Sequence, residues 1–115
     1  MKILIEAFKI NINQKNKCGD TGFIFACNNN SLEVVKLLLE KYPDIINPKN
    51  KYGWTGFLNA CNNNILEVIK LLLEKYPNIT NQKDNDGWTG FMIACINNSL
   101  ELVKLLLEKY PDIIN

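Results

Sequence analysis

The four cysteines, Cys18, Cys27, Cys61 and Cys95, are the residues of this chain with the most reactive chemistry open to them. A thiolate can attack an electrophile, ligate a metal or pair with a second sulfur, and each role sets conditions on its surroundings. Attack needs an activator, yet the chain has no histidine, and all 13 of its basic residues are lysines. Cys18 with the nearby acid Asp20 is the one enzymatic alternative. Neither a glycine-rich phosphate loop nor metal-ligand spacing accompanies it, so no catalytic residue, cofactor or metal is expected. Twelve acids leave a net charge of +1, and without arginine's planar fork this balance argues against a nucleic-acid partner. Hydrophobic residues make up 47% and charged residues 22%, the composition of an ordinary folded domain rather than a disordered chain. No apolar run approaches the ~18 residues that span a bilayer, so no membrane role is expected. Glu6 interrupts the apolar start and no small-residue cleavage site follows, which argues against a signal peptide. The expectation is an intracellular, cytoplasmic protein with reduced thiols.

Cys27, Cys61 and Cys95 recur every 34 residues, and that spacing leads to the elements that must carry them. Residues 13–46 and 47–80 agree at 25 of 34 positions, and 81–115 follows at the same offset. Each unit reads N-x-K, a polar stretch, G-x-T-G-F, a short apolar segment ending Ala-Cys, an Asn cluster, then x-L-E with K-L-L-L-E-K-Y and P-x-I. Tandem units of this length imply a solenoid in which each unit buries its apolar surface against its neighbours. The first glycine of each G-x-T-G supplies a turn conformation that side chains resist, and the second opens a helix. Thr21, Thr55 and Thr89 stand where a hydroxyl caps that helix, which should run from about Gly22 to Asn28 and at the two equivalent places. Asn runs at 28–30, 62–64 and 97–98 should end it by accepting left-handed backbone. Asn30 with Glu33, Asn64 with Glu67 and Asn98 with Glu101 also have the spacing of a capping box. A second helix is expected over about Leu32–Tyr42, Leu66–Tyr76 and Leu100–Tyr110, with an apolar stripe broad enough to imply neighbours on two sides. Pro43, Pro77 and Pro111 should stop it.

The units resemble ankyrin repeats. Thr21-Gly22-Phe23-Ile24-Phe25-Ala26 and its copies from Thr55 and Thr89 match the family's T-P-L-H-x-A, followed by the L-E-V-V-K-L-L-L helix. Glycine replaces the family proline at 22, 56 and 90; Ile24, Leu58 and Met92 replace its histidine; and the Tyr-Pro-Asp-Ile-Ile ending adds one residue. The resemblance implies an all-α solenoid of helix-turn-helix repeats joined by β-turn loops, a single domain over 1–115. Within it, 1–12 would be a half-repeat covering one side of the stack, and 13–46, 47–80 and 81–115 would be full repeats. The last helix keeps the apolar interior pattern, which points either to a fragment of a longer array or to a bare C-terminal end that self-associates, with no ligand of its own.

Cys27, Cys61 and Cys95 fall on a small position of the first helix and are expected as buried core thiols, too far apart along the stack for disulfides or a shared metal. The resemblance also implies a non-catalytic protein–protein interaction module that uses a concave surface of loop tips and first helices. The tip positions are Lys17, Cys18 and Asp20; Lys51, Tyr52 and Trp54; and Asn85, Asp86 and Trp88. The helix positions are Asn28 and Asn29; Asn62 and Asn63; and Ile96 and Asn97. Two of the nine mismatches between the first two units, Cys18 against Tyr52 and Asp20 against Trp54, fall here, so the scaffold is uniform while the tips vary. Tyr52, Trp54 and Trp88 are of the type that dominates interface energy, or they pack on neighbouring loops. The charges around the tips, Lys15 and Lys17 through Lys49 and Lys51 to Lys83, Asp84 and Asp86, suit a dipolar partner, or they are solvated drift. Asn59, where the other units carry Phe25 and Ile93, either bonds the backbone of a neighbouring loop or faces the groove, and the groove is the expectation.

Overall fold

The structure is a computed structural model and describes residues 10–113. Three helix pairs follow one another: α1 (Gly22–Asn28) and α2 (Leu32–Lys41), α3 (Gly56–Asn62) and α4 (Leu66–Lys75), α5 (Gly90–Ile96) and α6 (Leu100–Lys109). Short 3-10 turns at Pro43–Ile46 and Pro77–Asn81 carry the chain to the next pair. The half-repeat expected over 1–12 lies almost wholly outside the described residues.

Each first helix starts as its sequence dictates. Thr21, Thr55 and Thr89 sit in extended backbone, and their hydroxyls accept from the N–H of Ile24, Leu58 and Met92 at 3.2, 3.2 and 3.3 Å. Two residues past the end of each first helix an asparagine in the left-handed region, Asn30, Asn64 or Asn98, turns the chain at φ 56, 56 and 57°. That assignment overturns the capping box. A residue closing one helix at positive φ cannot adopt the extended backbone of an N-cap, so Ser31, Ile65 and Ser99 take that place without a side-chain bond. The second helix also ends one residue earlier than expected, at Lys41, Lys75 and Lys109.

The first helices form the tight spine of the stack, α1 against α3 and α3 against α5, while α2 and α4 touch less. Glycine is the reason. A Cβ on Gly56 would stand 2.7 Å from the Phe23 ring and 2.9 Å from Cys27 Sγ, and one on Gly90 would stand 2.8 Å from Cys61 Sγ and 2.9 Å from the Phe57 ring. The missing methyl lets the rings of one unit seat on the backbone of the next. Gly22, in the same motif, has no described residue within 4 Å of that point. Gly22→Ala should therefore stabilise the fold by about 0.4–1 kcal/mol through the unfolded chain, whereas Gly90→Ala should cost about 1–3 kcal/mol by overpacking. Urea midpoints of the two variants check this, and equal shifts would contradict it.

The core runs along the stack through Phe23, Cys27 and Val35, then Phe57, Leu58, Cys61, Val68, Ile69 and Leu72, then Ile93, Ala94, Leu102 and Leu106. Cys27 and Cys61 are buried as expected, and burial pushes the Cys27 thiol up to about 12 and the Cys61 thiol up as well. Cys95 is a correction: it is exposed. Its sequence is that of Cys27 and Cys61, but no described residue covers the face on which it lies.

Candidate functional site

The loops that join the units are hairpins organised by one residue each. Asn16 Oδ1 accepts from the N–H of Cys18 and Asp20, Asn50 Oδ1 from Tyr52 and Trp54, and Asp84 Oδ1 from Asp86 and Trp88, all between 2.8 and 3.1 Å. Such Asx turns add to the backbone bonds across each tip, in which the N–H of Asn16, Asn50 and Asp84 donates to the carbonyl of Asp20, Trp54 and Trp88. Gly19, Gly53 and Gly87 close the hairpins at φ 78, 78 and 85°. Asn16 and Asn50 are organisers that reading for binding types passed over. Their signal was local: the acceptor lies two and four residues before the amides it takes.

The same residues tie one tip to the next. The Asn50 amide donates to Asp20 Oδ1 at 3.0 Å, the Trp54 indole N–H donates to Asp84 Oδ2 at 3.1 Å, and the Lys51 N–H donates to the Cys18 carbonyl at 2.9 Å. Lys15 Nζ donates to the Lys49 carbonyl at 2.7 Å and Lys49 Nζ to the Lys83 carbonyl at 2.9 Å. Gln82, another residue the sequence reading passed over, donates to the Ile46 carbonyl and accepts from the Thr55 hydroxyl. These bonds hold the loops as one row.

Against this frame the expected site residues divide. Asp20 and Trp54 are half-buried and engaged in the inter-loop bonds above, so the packing reading of Trp54 has direct support. Asn85 lies over Gly53, where a Cβ would stand 2.5 Å from its Cγ. The helix asparagines form a second ladder. Asn63 donates to Asn28 Oδ1 at 2.7 Å, and Asn97 donates to both the Oδ1 and the carbonyl of Asn62 at 3.0 and 3.2 Å. Asn59 is buried, contrary to a groove-facing role, and its Oδ1 accepts a long bond of 3.5 Å from the side-chain amide of Asn63, the residue that caps its helix. Phe25 at the equivalent place is exposed and Ile93 is buried.

What remains presented to solvent is narrower than the sequence list. Tyr52 is 58% exposed, its ring centroid 5.9 Å from that of Trp54 at 45°, with Lys51 Nζ 5.1 Å above its face. Trp88 is 37% and Ile96 68% exposed, and Lys17 and Asp86 are exposed at the first and third tips. This surface joins an aromatic–cation cluster to a row of amides that still carry free hydrogen-bonding positions. It can grip and orient a surface. Among the described residues no group of three cysteines or acids is placed to hold a metal ion, and no helix is long and apolar enough to cross a membrane.

Asp84 carries the electrostatics of the third tip. Burial works to raise its carboxyl, but the Trp88 N–H, the Trp54 indole, the Asp86 N–H and the Lys49 charge outweigh that and hold it below its ordinary value. A carboxyl lowered in the fold contributes stability above its unfolded value of about 4, and that contribution is lost as pH falls through the folded value. Asp84→Asn, which keeps the turn-forming Oδ1 found in Asn50, should therefore weaken the fold at pH 7 and flatten the acid limb of its stability as pH falls below the unfolded carboxyl value. Urea midpoints across that range are the check; parallel curves would remove the carboxylate from the argument.

A family model described as ankyrin repeats (3 copies) matches residues 1–83 and 42–115. No curated protein matches the chain.

Proposed function

Since the chain belongs to the ankyrin repeat family, whose repeats are generally protein–protein interaction modules, we propose that it is a non-catalytic module that binds a partner protein with its loop tips and first helices. Residues 13–46, 47–80 and 81–115 are read as its three repeats and 1–12 as a half-repeat, acting in the cytoplasm. The observation that carries this reading is the Lys51–Tyr52 pair. At a tip whose other polar groups are bonded to neighbouring loops, Tyr52 stands 58% exposed with the Lys51 ammonium over its face. An exposed aromatic on a rigid row loses little entropy on binding. Trp88 extends the aromatic surface, Lys17 and Asp86 set the charge at either end, and Asn62, Asn63 and Asn97 supply amides along the floor. Asp20, Trp54 and Asn85 serve the same surface by holding the tips, and Ile96 adds an apolar edge. The near-neutral net charge and the absence of arginine support a protein rather than a nucleic acid as the partner.

The test separates binding from scaffolding. Tyr52→Ala with Trp88→Ala should keep the helical signal of the parent chain while lowering capture of the partner from source-cell extract by at least about 30-fold, on the order of 2 kcal/mol. Capture at parental strength would remove the tips from the interface. Trp54→Ala should lower stability as well as capture, because its indole bond to Asp84 is lost.

A further inference from the structure

The charge along the row of tips changes sign, and the lysines that set it are not neutralised from within the row. The first two loops, residues 15–20 and 49–54, hold four lysines against one carboxylate, Asp20, whereas the third, 83–88, holds one lysine against Asp84 and Asp86. Lys15, Lys17, Lys49 and Lys51 are exposed, and so is Asp86. Among the described residues the one ion pair joins Lys36 to Glu33 at 3.7 Å on α2, so no tip lysine spends its charge on a carboxylate. Asp20 is half-buried, and its Oδ1 takes the Asn50 amide. Two of the ammoniums are also fixed in place, Lys15 Nζ by the Lys49 carbonyl and Lys49 Nζ by the Lys83 carbonyl. An ammonium has three donors, so each keeps N–H groups for a ligand, and a side chain already held loses less rotamer entropy when it pairs. At the third loop Asp84 accepts from the Trp54 indole and the amides of Asp86 and Trp88, none of which cancels its charge.

We infer that the partner, which rests on the reading of the tips as the binding surface, presents an extended acidic segment that ends in cations, with carboxylates over the first two loops and a lysine or arginine over the third. First helices packed about 8–10 Å apart place the three loops within about 20 Å, the length of about six extended residues at ~3.3 Å each. A peptide can change the sign of its charge within that distance. A nucleic acid cannot: its backbone is uniformly negative and would have to run past Asp84 and Asp86. Complementary poles of this kind fix the direction in which a segment lies and raise the rate at which it arrives, while the Lys51–Tyr52 pair supplies the contact at the centre.

Two labelled peptides of one composition test it on the full 115-residue chain: four glutamates, two serines and three lysines in blocks, or the same residues with the charges interspersed. Fluorescence anisotropy in about 50 mM salt, where the screening length exceeds ~10 Å, should show the block peptide bound at least about tenfold more tightly, the gain of a few exposed charge pairs. Lys17→Glu with Lys51→Glu should remove that difference with circular dichroism unchanged, and Asp86→Lys should remove it from the other pole. Equal affinity of the parent chain for the two peptides, no binding of the block peptide, or a difference that survives both variants overturns the inference. Tighter binding of an oligothymidylate than of the block peptide overturns it in favour of a nucleic acid. Capture by Tyr52→Ala with Trp88→Ala reports separately on whether the tips bind at all, so a wrong charge order and a wrong surface are told apart.

Discussion

Replacing Phe57 with alanine should come close to unfolding the protein. Phe57 is 1% exposed, lies in the middle first helix, and has its ring against the Gly90 backbone of the following unit. Truncating a buried phenylalanine costs about 3–5 kcal/mol, the transfer of the ring plus the cavity it leaves. A domain of this size is held by about 5–15 kcal/mol in all. The position aggravates the loss. In a solenoid each unit is held by its neighbours alone, so a hole in the middle unit weakens its junction with the third. Urea unfolding followed by circular dichroism should show the midpoint of Phe57→Ala displaced far below that of Phe91→Ala. Phe91 occupies the same sequence position but is only half-buried, and its truncation should cost about 1–2 kcal/mol. Equal midpoints would mean that the units do not share one core.

The second large effect lies at a tip. Gly19 has φ +78°, and a Cβ there would stand 2.7 Å from the backbone nitrogen of Lys51 and 3.1 Å from the Asn50 backbone. Backbone cannot turn aside as the end of a side chain can, and Lys51 N–H is the donor that joins the first two loops through the Cys18 carbonyl. Gly19→Val should cost about 3 kcal/mol or more, the strain of a β-branched residue at positive φ together with the broken loop contact. Gly87→Val separates the two parts. Gly87 has φ +85° but no described residue within 4 Å of its Cβ position, so only the conformational strain of about 1–2 kcal/mol applies. Denaturant midpoints of the pair give the cost of the contact as their difference, and identical losses would show that the first two loops are not in register.

The lysine and asparagine ladders bear on how the site works. A tip that moved independently would lose ordering entropy with each contact it made. Here the Lys15–Lys49–Lys83 links and the Trp54 bond to Asp84 hold the row before any partner arrives. In the proposed interaction Trp54 would act by positioning, while Tyr52 and Trp88 would supply the contact.

The sequence by itself determined most features governed by residues within about four positions of one another, the capping boxes at Asn30, Asn64 and Asn98 and the Asx turns at Asn16 and Asn50 being the exceptions. The threonine caps, the positive-φ glycines and asparagines, the proline stops and the broad apolar stripe of the second helices were all legible, because φ restrictions and cap geometry act over a single turn. The 34-residue period determined that the units repeat. It could not tell repeats of identical sequence apart. Gly22, Gly56 and Gly90 share one motif, yet the first meets no described residue and the others touch sulfur and ring; Cys27 and Cys61 are buried while Cys95 is exposed. Which tip aromatics were engaged was hidden for the same reason, since the partner of the Trp54 indole lies 30 residues away. Only the tertiary structure decided these, because burial and cross-unit hydrogen bonds depend on what the neighbouring unit places a few ångströms away.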